Sequence, residues 1–299
     1  MVEPDVDHVI LTRFNLPSGG IERSIRVREG WLESRVELFE TYCLPSVAAQ
    51  SAADLSWIVY FDPESPVWLK RRITLWQDGT PLTPVFRASV SADQLLEDVR
   101  RISGAGHARL LTTNLDNDDA LAVDFAARVQ AMEPEREATA LYLAQGLIAC
   151  GGLLYRRVDR ANAFCSVSAP WREPKTCWAD WHNLLGRGMP VRVDRRRPAW
   201  LQVVHGRNVS NRVHGVLTSP AAYADLFPGL LGSFAEPDLP ARLRDAALEQ
   251  PGRFLREAGR GLAKRVIVAA AGRGALDRVR LRIREGTGLG SLSGRGRET

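Results

Sequence analysis

Cysteine, methionine and long apolar runs are scarce in this chain, and each scarcity excludes something. Four cysteines, Cys43, Cys150, Cys165 and Cys177, occur in 299 residues. None follows C-x-x-C spacing, so a disulfide framework and a structural zinc site are not expected, and a reducing compartment is. No stretch reaches the roughly 18–20 uninterrupted apolar residues of a membrane-crossing helix. The longest uncharged run, Leu141 to Tyr155, is broken by Gln145 and three glycines. The opening, MVEPDVDHVILTRF, is acidic and lacks a basic start before an apolar segment, so no secretory signal is expected and a cytoplasmic location is. No internal repeat is visible.

Charge is present in quantity but unevenly placed. The chain carries 40 Lys and Arg against 35 Asp and Glu, a net +5. From Arg253 onward there are twelve basic residues against four acidic ones, which leaves residues 1–252 at −3. A near-neutral body gives no nucleic-acid signature, whereas a basic, partly apolar tail suits an anionic surface such as the inner face of a membrane. In that tail Leu255, Leu262 and Val266 share a helical face with basic residues opposite. "RVRLRIR" alternates with period two and reads equally as a strand. The Gly/Ser/Arg stretch from Gly286 is expected to be disordered.

The body, 45% hydrophobic over the whole chain, has enough apolar residues for one large core. "HVILTRF" (8–14) reads as a first strand ending at the breaker "NLPSGG". Helical spacing follows from about Glu22 to Gln50, interrupted at Pro45, and then a buried-type strand, "LSWIVYFD" (55–62). A helix, the strand "TPVFRASV" and a helix capped by Ser91 come next. "ARLLTTNLDNDD" is a strand running into an acidic turn, and a helix is expected from Ala120. Two apolar runs about Gly151-Gly152 suggest a hairpin. A turn-rich stretch from Ser166 leads to the strand "AWLQVVHGRNVSN". This alternation predicts an α/β domain with a mostly parallel sheet over 1–234, and a basic, largely helical extension over 235–299.

The acidic turn is Asp116-Asn117-Asp118-Asp119. Two carboxylates one residue apart at a strand end can aim at one magnesium or manganese ion, which favours oxygen ligands and leaves positions open for phosphates. Without a cation they repel one another. Asp and Asn are also ordinary turn and cap residues, and Asp119 would serve as cap for a helix beginning at Ala120. His205, after an apolar strand and before a polar run, can complete a metal site or sit as a structural histidine.

The D-N-D-D element, "HVILTRFN", "LPSVAAQSAADLSWIVYFD" and "VVHGRNVSN", in this order, resemble the bacterial rhamnosyltransferase family, glycosyltransferases of GT-A type, from about residue 8 to 215. The resemblance implies a GT-A-like, Rossmann-like catalytic domain. It also implies a divalent metal (Mn2+ or Mg2+) held by Asp116 and Asp118, with His205 as a further ligand. Arg13, Asn15, Asp62 and Asn117 fall where such enzymes meet the donor nucleotide. From sequence alone Arg13 reads equally as a surface arginine, Asn15 as a turn residue and Asp62 as a turn starter before Pro63.

An acceptor hydroxyl needs a base. "TCWADWHNLL" offers Asp180 first and His182 second; Asp180 also reads as a helix cap, and Trp178 and Trp181 as core or as a platform for a sugar ring. The expected function is metal-dependent transfer of a sugar, rhamnose by the family's name, from a nucleotide-diphosphate donor to a glycan or glycolipid of the cell envelope. A non-catalytic nucleotide-sugar or membrane-binding protein of the same fold, and a metal-dependent phosphohydrolase, are the alternatives.

Overall fold

The computed structural model describes residues 5–17, 30–52, 54–132, 136–205 and 215–251. The chain divides into two units, Met1–Arg242 and Leu243–Thr299, and every strand among the described residues lies in the first. The basic tail from Arg253 lies outside the described residues, as do the polar residues 206–214 after His205. Among the described residues no helix is long and apolar enough to cross a membrane.

The strands in chain order are β1 (Val6–Arg13), β2 (Leu55–Phe61), β3 (Leu82–Phe86), β4 (Arg109–Asn114), β5 (Ala120–Leu121), β6 (Thr139–Leu143), β7 (Gln145–Cys150), β8 (Leu153–Val158), β9 (Ser166–Pro170), β10 (Val191–Asp194), β11 (Trp200–Val204) and β12 (Val216–Thr218). The main helices are α1 (Trp31–Leu38), α2 (Leu44–Ala48), α3 (Val67–Trp76), α4 (Ala92–Ser103) and α5 (Phe125–Gln130). The central sheet has the order β10-β6-β9-β4-β1-β2-β3. Within it β4, β1, β2 and β3 are mutually parallel, as are β10 and β6, while β9 runs antiparallel to both its neighbours.

The expected α/β class with a largely parallel central sheet holds for a physical reason. β1 and β2 are nearly continuous apolar runs because both faces of the sheet are covered. Ile10, Trp57, Val59 and Leu111 belong to one core layer, and Val9, Leu11, Ile58, Tyr60 and Leu110 to the opposite one. On the first face Phe14, Phe39, Phe61 and Trp76 form an aromatic cluster with ring centroids 4.7–6.4 Å apart. Each such pair adds about 0.5–1.5 kcal/mol beyond its buried area, and Phe14 fixes the chain immediately after Arg13.

Helix signals read from sequence are met at α4. Ser91 Oγ accepts the Gln94 amide, the Gln94 side chain returns to the Ser91 amide, and Gly104 at φ 78° ends the helix. α1 does not stop at Pro45 but passes through a π-helical turn, Phe39–Cys43, into α2. A proline ring crowds the carbonyl four residues earlier; the widened turn relieves this, and the Leu44 amide donates to the Phe39 carbonyl.

Two expectations are corrected. The stretch from Ser166 is not turn throughout: Ser166–Pro170 is β9, a central strand. Its serines escape the apolar signature because they are satisfied across the sheet. Ser166 Oγ lies 2.7 Å from Thr113 Oγ1, which lies 2.8 Å from His8 Nε2. Burial pushes His8 down to about 3, so it stays neutral there. Nor does a helix begin at Ala120. Ala120 and Leu121 form β5, antiparallel to β11 in a second sheet of order β12-β8-β7-β11-β5, and α5 begins only at Phe125. The hairpin about Gly151-Gly152, both at positive φ, joins β7 and β8 of that sheet as expected.

Asp98, on α4, ties that helix to the end of β3. It is buried and accepts both arms of Arg87 at 2.7 Å, the Tyr60 hydroxyl at 3.2 Å and Arg101 at 3.4 Å. Burial alone would raise its pKa; the Arg87 fork, with Tyr60 and Arg101, outweighs it and holds the carboxyl below its usual value. A folded pKa below the unfolded one means the stabilisation is fully present above about pH 4 and is lost as pH falls through the folded value. Asp98→Asn is expected to cost about 2 kcal/mol at pH 7 and to flatten the acid limb of stability in urea unfolding between pH 7 and 3. An acid limb as steep as the wild type's would show that the acid sensitivity comes from elsewhere.

Candidate active site

The connectivity places a crevice. From β1 the chain steps to β2 and β3 on one side, whereas β4 lies on β1's other side. Ligands of open α/β sheets bind at the carboxyl ends of strands where the order reverses in this way, here between β1 and β4. Arg13 ends β1, and Asn114 ends β4 and leads into Asp116–Asp119.

Asn117 locks the two strand ends together. Its side-chain nitrogen donates to the carbonyls of Arg13 at 2.7 Å and Phe14 at 2.8 Å, and its oxygen accepts from Arg35 Nη1 at 3.0 Å. The same Arg35 nitrogen lies 2.6 Å from Asp118 Oδ2, and His205 Nε2 lies 3.0 Å from that oxygen. Burial would raise the pKa of Asp118, but His205 and the Arg35 charge outweigh it and hold the carboxyl low. Asp118 therefore stays ionised.

Asp119 has a different job from the helix cap expected for it. It is buried and accepts the Val203 amide at 2.8 Å. Burial, with the charges of Asp118 and Asp116, pushes its pKa well up. The β5–β11 register explains the contact: Leu121 faces Trp200 and Ala120 faces Leu201, so two further steps bring Val203 to the turn and His205 past it.

Asp116 faces outward. It is exposed, and its carboxylate has a single long hydrogen bond, 3.5 Å from Asn114 Nδ2. Protein atoms nonetheless surround it. That environment and the Asp118 charge push its pKa up, to about 6.

Asn114 also accepts the Trp178 indole N–H at 2.7 Å, and the Arg13 guanidinium lies over the Trp178 ring, 3.7 Å from its centroid. Trp178 thus belongs to the same strand-end cluster. Asp180, two residues on, is exposed, and its Oδ1 accepts the Trp181 amide. The His182 carbonyl accepts the Tyr142 hydroxyl, which anchors the segment. At the end of β2, Asn15 is buried as a clamp: its oxygen accepts the Asp62 amide at 3.0 Å, and its nitrogen donates to Ser65 Oγ at 3.0 Å. The Asp62 carboxylate accepts the Glu64 amide, a turn geometry, while staying partly open.

Carboxylate oxygens are what magnesium and manganese prefer; Asp116 offers its own outward, whereas Asp118 is buried against Arg35 and His205. Among the described residues no three or more His, Cys, Asp or Glu side chains are grouped so that they could hold a metal ion by themselves. Asp116 and Asp118 are the residues that could hold a cation here, and only as part of an open site needing further ligands from elsewhere. Sequence reasoning missed Arg35. Its one local signal is Trp31, a helical turn earlier, whose ring lies 5.6 Å from the guanidinium carbon.

The model of the family described as "Putative rhamnosyl transferase" matches residues 7–216, and the chain belongs to that family. A search of curated proteins finds no match. Among solved structures the chain is similar to S. aureus TarS 1-349 in complex with UDP, at 10% identity and TM-score 0.40, over 66% of this chain and 60% of that one. It is similar also to S. aureus TarS, at 10% identity and TM-score 0.38, covering 66% and 36% of the two chains. A third is the inositol-1-phosphate CTP transferase from T. maritima, at 10% identity and TM-score 0.38, over 77% and 98%. The chain thus spans little more than half the length of TarS 1-349 and about a third of TarS.

The Asp119–Val203 contact can be tested directly. Asp119→Ala removes the buried acceptor that the Val203 amide meets and is expected to cost about 1–3 kcal/mol in urea unfolding. Asp119→Asn keeps an acceptor oxygen and is expected to cost less than half as much. Equal losses would show that charge, and not the hydrogen bond, joins the turn to β11.

Proposed function

We propose that this member of the rhamnosyl transferase family transfers a glycosyl group from a nucleoside-diphosphate sugar to a hydroxyl of a glycan or glycolipid acceptor. The observation that carries the reading is the pair Asp116 and Asp118 at the β1/β4 switch point, one carboxylate open and one held ionised, beside Arg13. Asp116 and Asp118 would hold a divalent cation, with His205 beside them. That cation supplies positive charge to neutralise the diphosphate as it leaves.

The chain's own residues do the rest. Arg13, stacked on Trp178, presents a cation at the crevice for phosphate oxygens. Asp62 has the partly open carboxylate at the β2 end for the nucleoside, while Asn15 and Asn117 hold the strand ends that carry these groups. In the transfer, the acceptor O–H breaks and its oxygen bonds the anomeric carbon as the carbon–phosphate-oxygen bond breaks. The bonding pair leaves on the diphosphate and the proton goes to Asp180, with His182 the second candidate. Asp180 is favoured by its exposed carboxylate two residues from Trp178. The basic tail is where contact with an anionic membrane is proposed.

Thermal melting with Mn2+ and a panel of UDP-, GDP- and dTDP-sugars identifies the donor. A ligand at 100 times its Kd stabilises by about 2.7 kcal/mol. Asp118→Asn is expected to abolish the metal-dependent part of that shift. Asp180→Asn is expected to keep donor binding and to lower kcat about 100-fold or more. Release of phosphate from simple phosphoesters without sugar transfer would replace this reading with a hydrolase.

A further inference from the structure

We propose that Arg35 is an internal counter-cation of the acidic turn. It holds Asp118 in the metal-free protein and competes with a divalent cation for it, and so sets the affinity of the site for metal. The inference rests on the metal reading above and adds a residue that neither the sequence motif nor the family match points to.

Asp116, Asp118 and Asp119 lie within four positions, so three carboxylates crowd one turn. Such a turn is self-repelling and needs positive charge in order to keep one shape. α1 supplies it. Arg35 Nη1 reaches Asp118 Oδ2 at 2.6 Å and Asn117 Oδ1 at 3.0 Å, with only 15% and 8% of the paired Arg35 and Asp118 side chains exposed. Trp31 and Val36 are buried on the same helix, so the helix cannot slide without breaking its packing. The packing of the helix therefore holds Arg35 against the turn.

A cation at Asp118 would meet a guanidinium already on the same carboxylate. The two positive charges repel, and the pair must loosen as metal enters. Arg35 thus preforms the turn and lowers its affinity for bare metal; a donor diphosphate, which brings negative charge, restores the balance. Metal binding then becomes conditional on the donor.

The test is Mn2+ titration of the full chain without nucleotide, read as the loss of the free-ion electron paramagnetic resonance signal. Arg35→Gln is expected to bind Mn2+ about tenfold more tightly than wild type. A merely structural role predicts the opposite sign, because a disordered turn binds metal worse. Arg35→Lys keeps a positive charge and is expected to give an affinity between the two. Equal or weaker binding by Arg35→Gln overturns the proposal, and if that variant does not fold, Arg35→Lys binding more weakly than wild type does the same. Asp118→Asn separates the layers. Weak Mn2+ binding there with no gain in Arg35→Gln removes only the role of Arg35, whereas Asp118→Asn binding as well as wild type removes the metal reading too.

Discussion

Three carboxylates in four consecutive residues, Asp116, Asp118 and Asp119, repel one another at close range inside a protein that screens charge poorly. How that repulsion is balanced governs the arrangement around them. α1 delivers Arg35 to Asp118, β11 delivers His205 to the same oxygen, and the Val203 amide meets Asp119. These partners come from widely separated parts of the chain. The turn is therefore not a local motif that the fold happens to display. It is a point where a helix, a parallel strand and an antiparallel strand of the second sheet are pinned together.

The sheet makes that convergence possible. Parallel β1, β2 and β4 end at one edge, and the strand order reverses between β1 and β4, the point at which ligands of such sheets bind. Phe14 roots the end of β1 in the aromatic cluster, so Arg13 projects from a fixed base. On the other side β9 brings the segment after it, with Trp178, back across the ends of β4 and β1. The second sheet, starting at β5 directly after the turn, fixes where His205 arrives. Each feature contributes geometry, and the electrostatics of the turn depend on all of them.

Legibility in the sequence depends on which signals are local. Buried parallel strands announce themselves as apolar runs, and Ser91 with Gln94 announces a helix start, because both patterns depend on neighbours along the chain. β9 was illegible because Ser166 and Ser168 are satisfied by Thr113 and Arg109, partners distant in sequence. Asp119 was misread for the same reason: an acid before "ALAVDF" fits a helix cap until β11 is seen to pair with Ala120 and Leu121. Arg35 sits among Glu33, Ser34 and Glu37 and reads as part of a solvated helix face. Only the packing of α1 against the sheet shows that it points inward.

The division of labour in "LDNDD" is set by these contacts. Asn117 and Asp119 face the protein, one clamping the β1 end and the other joining β11, and neither leaves its polar atoms to the crevice. Asp118 is held but charged, and Asp116 is open. A turn built only for capping needs one acceptor, and a closed metal cage needs more ligands than are gathered among the described residues. Two residues turned inward for position, one carboxylate held by Arg35 and His205 and one left open are compatible with the proposed cation site, which would take its remaining ligands from a phosphate-bearing substrate. Asn117 and Asp119, with Arg35 and His205 on Asp118, hold the turn in one shape through the protein's own contacts.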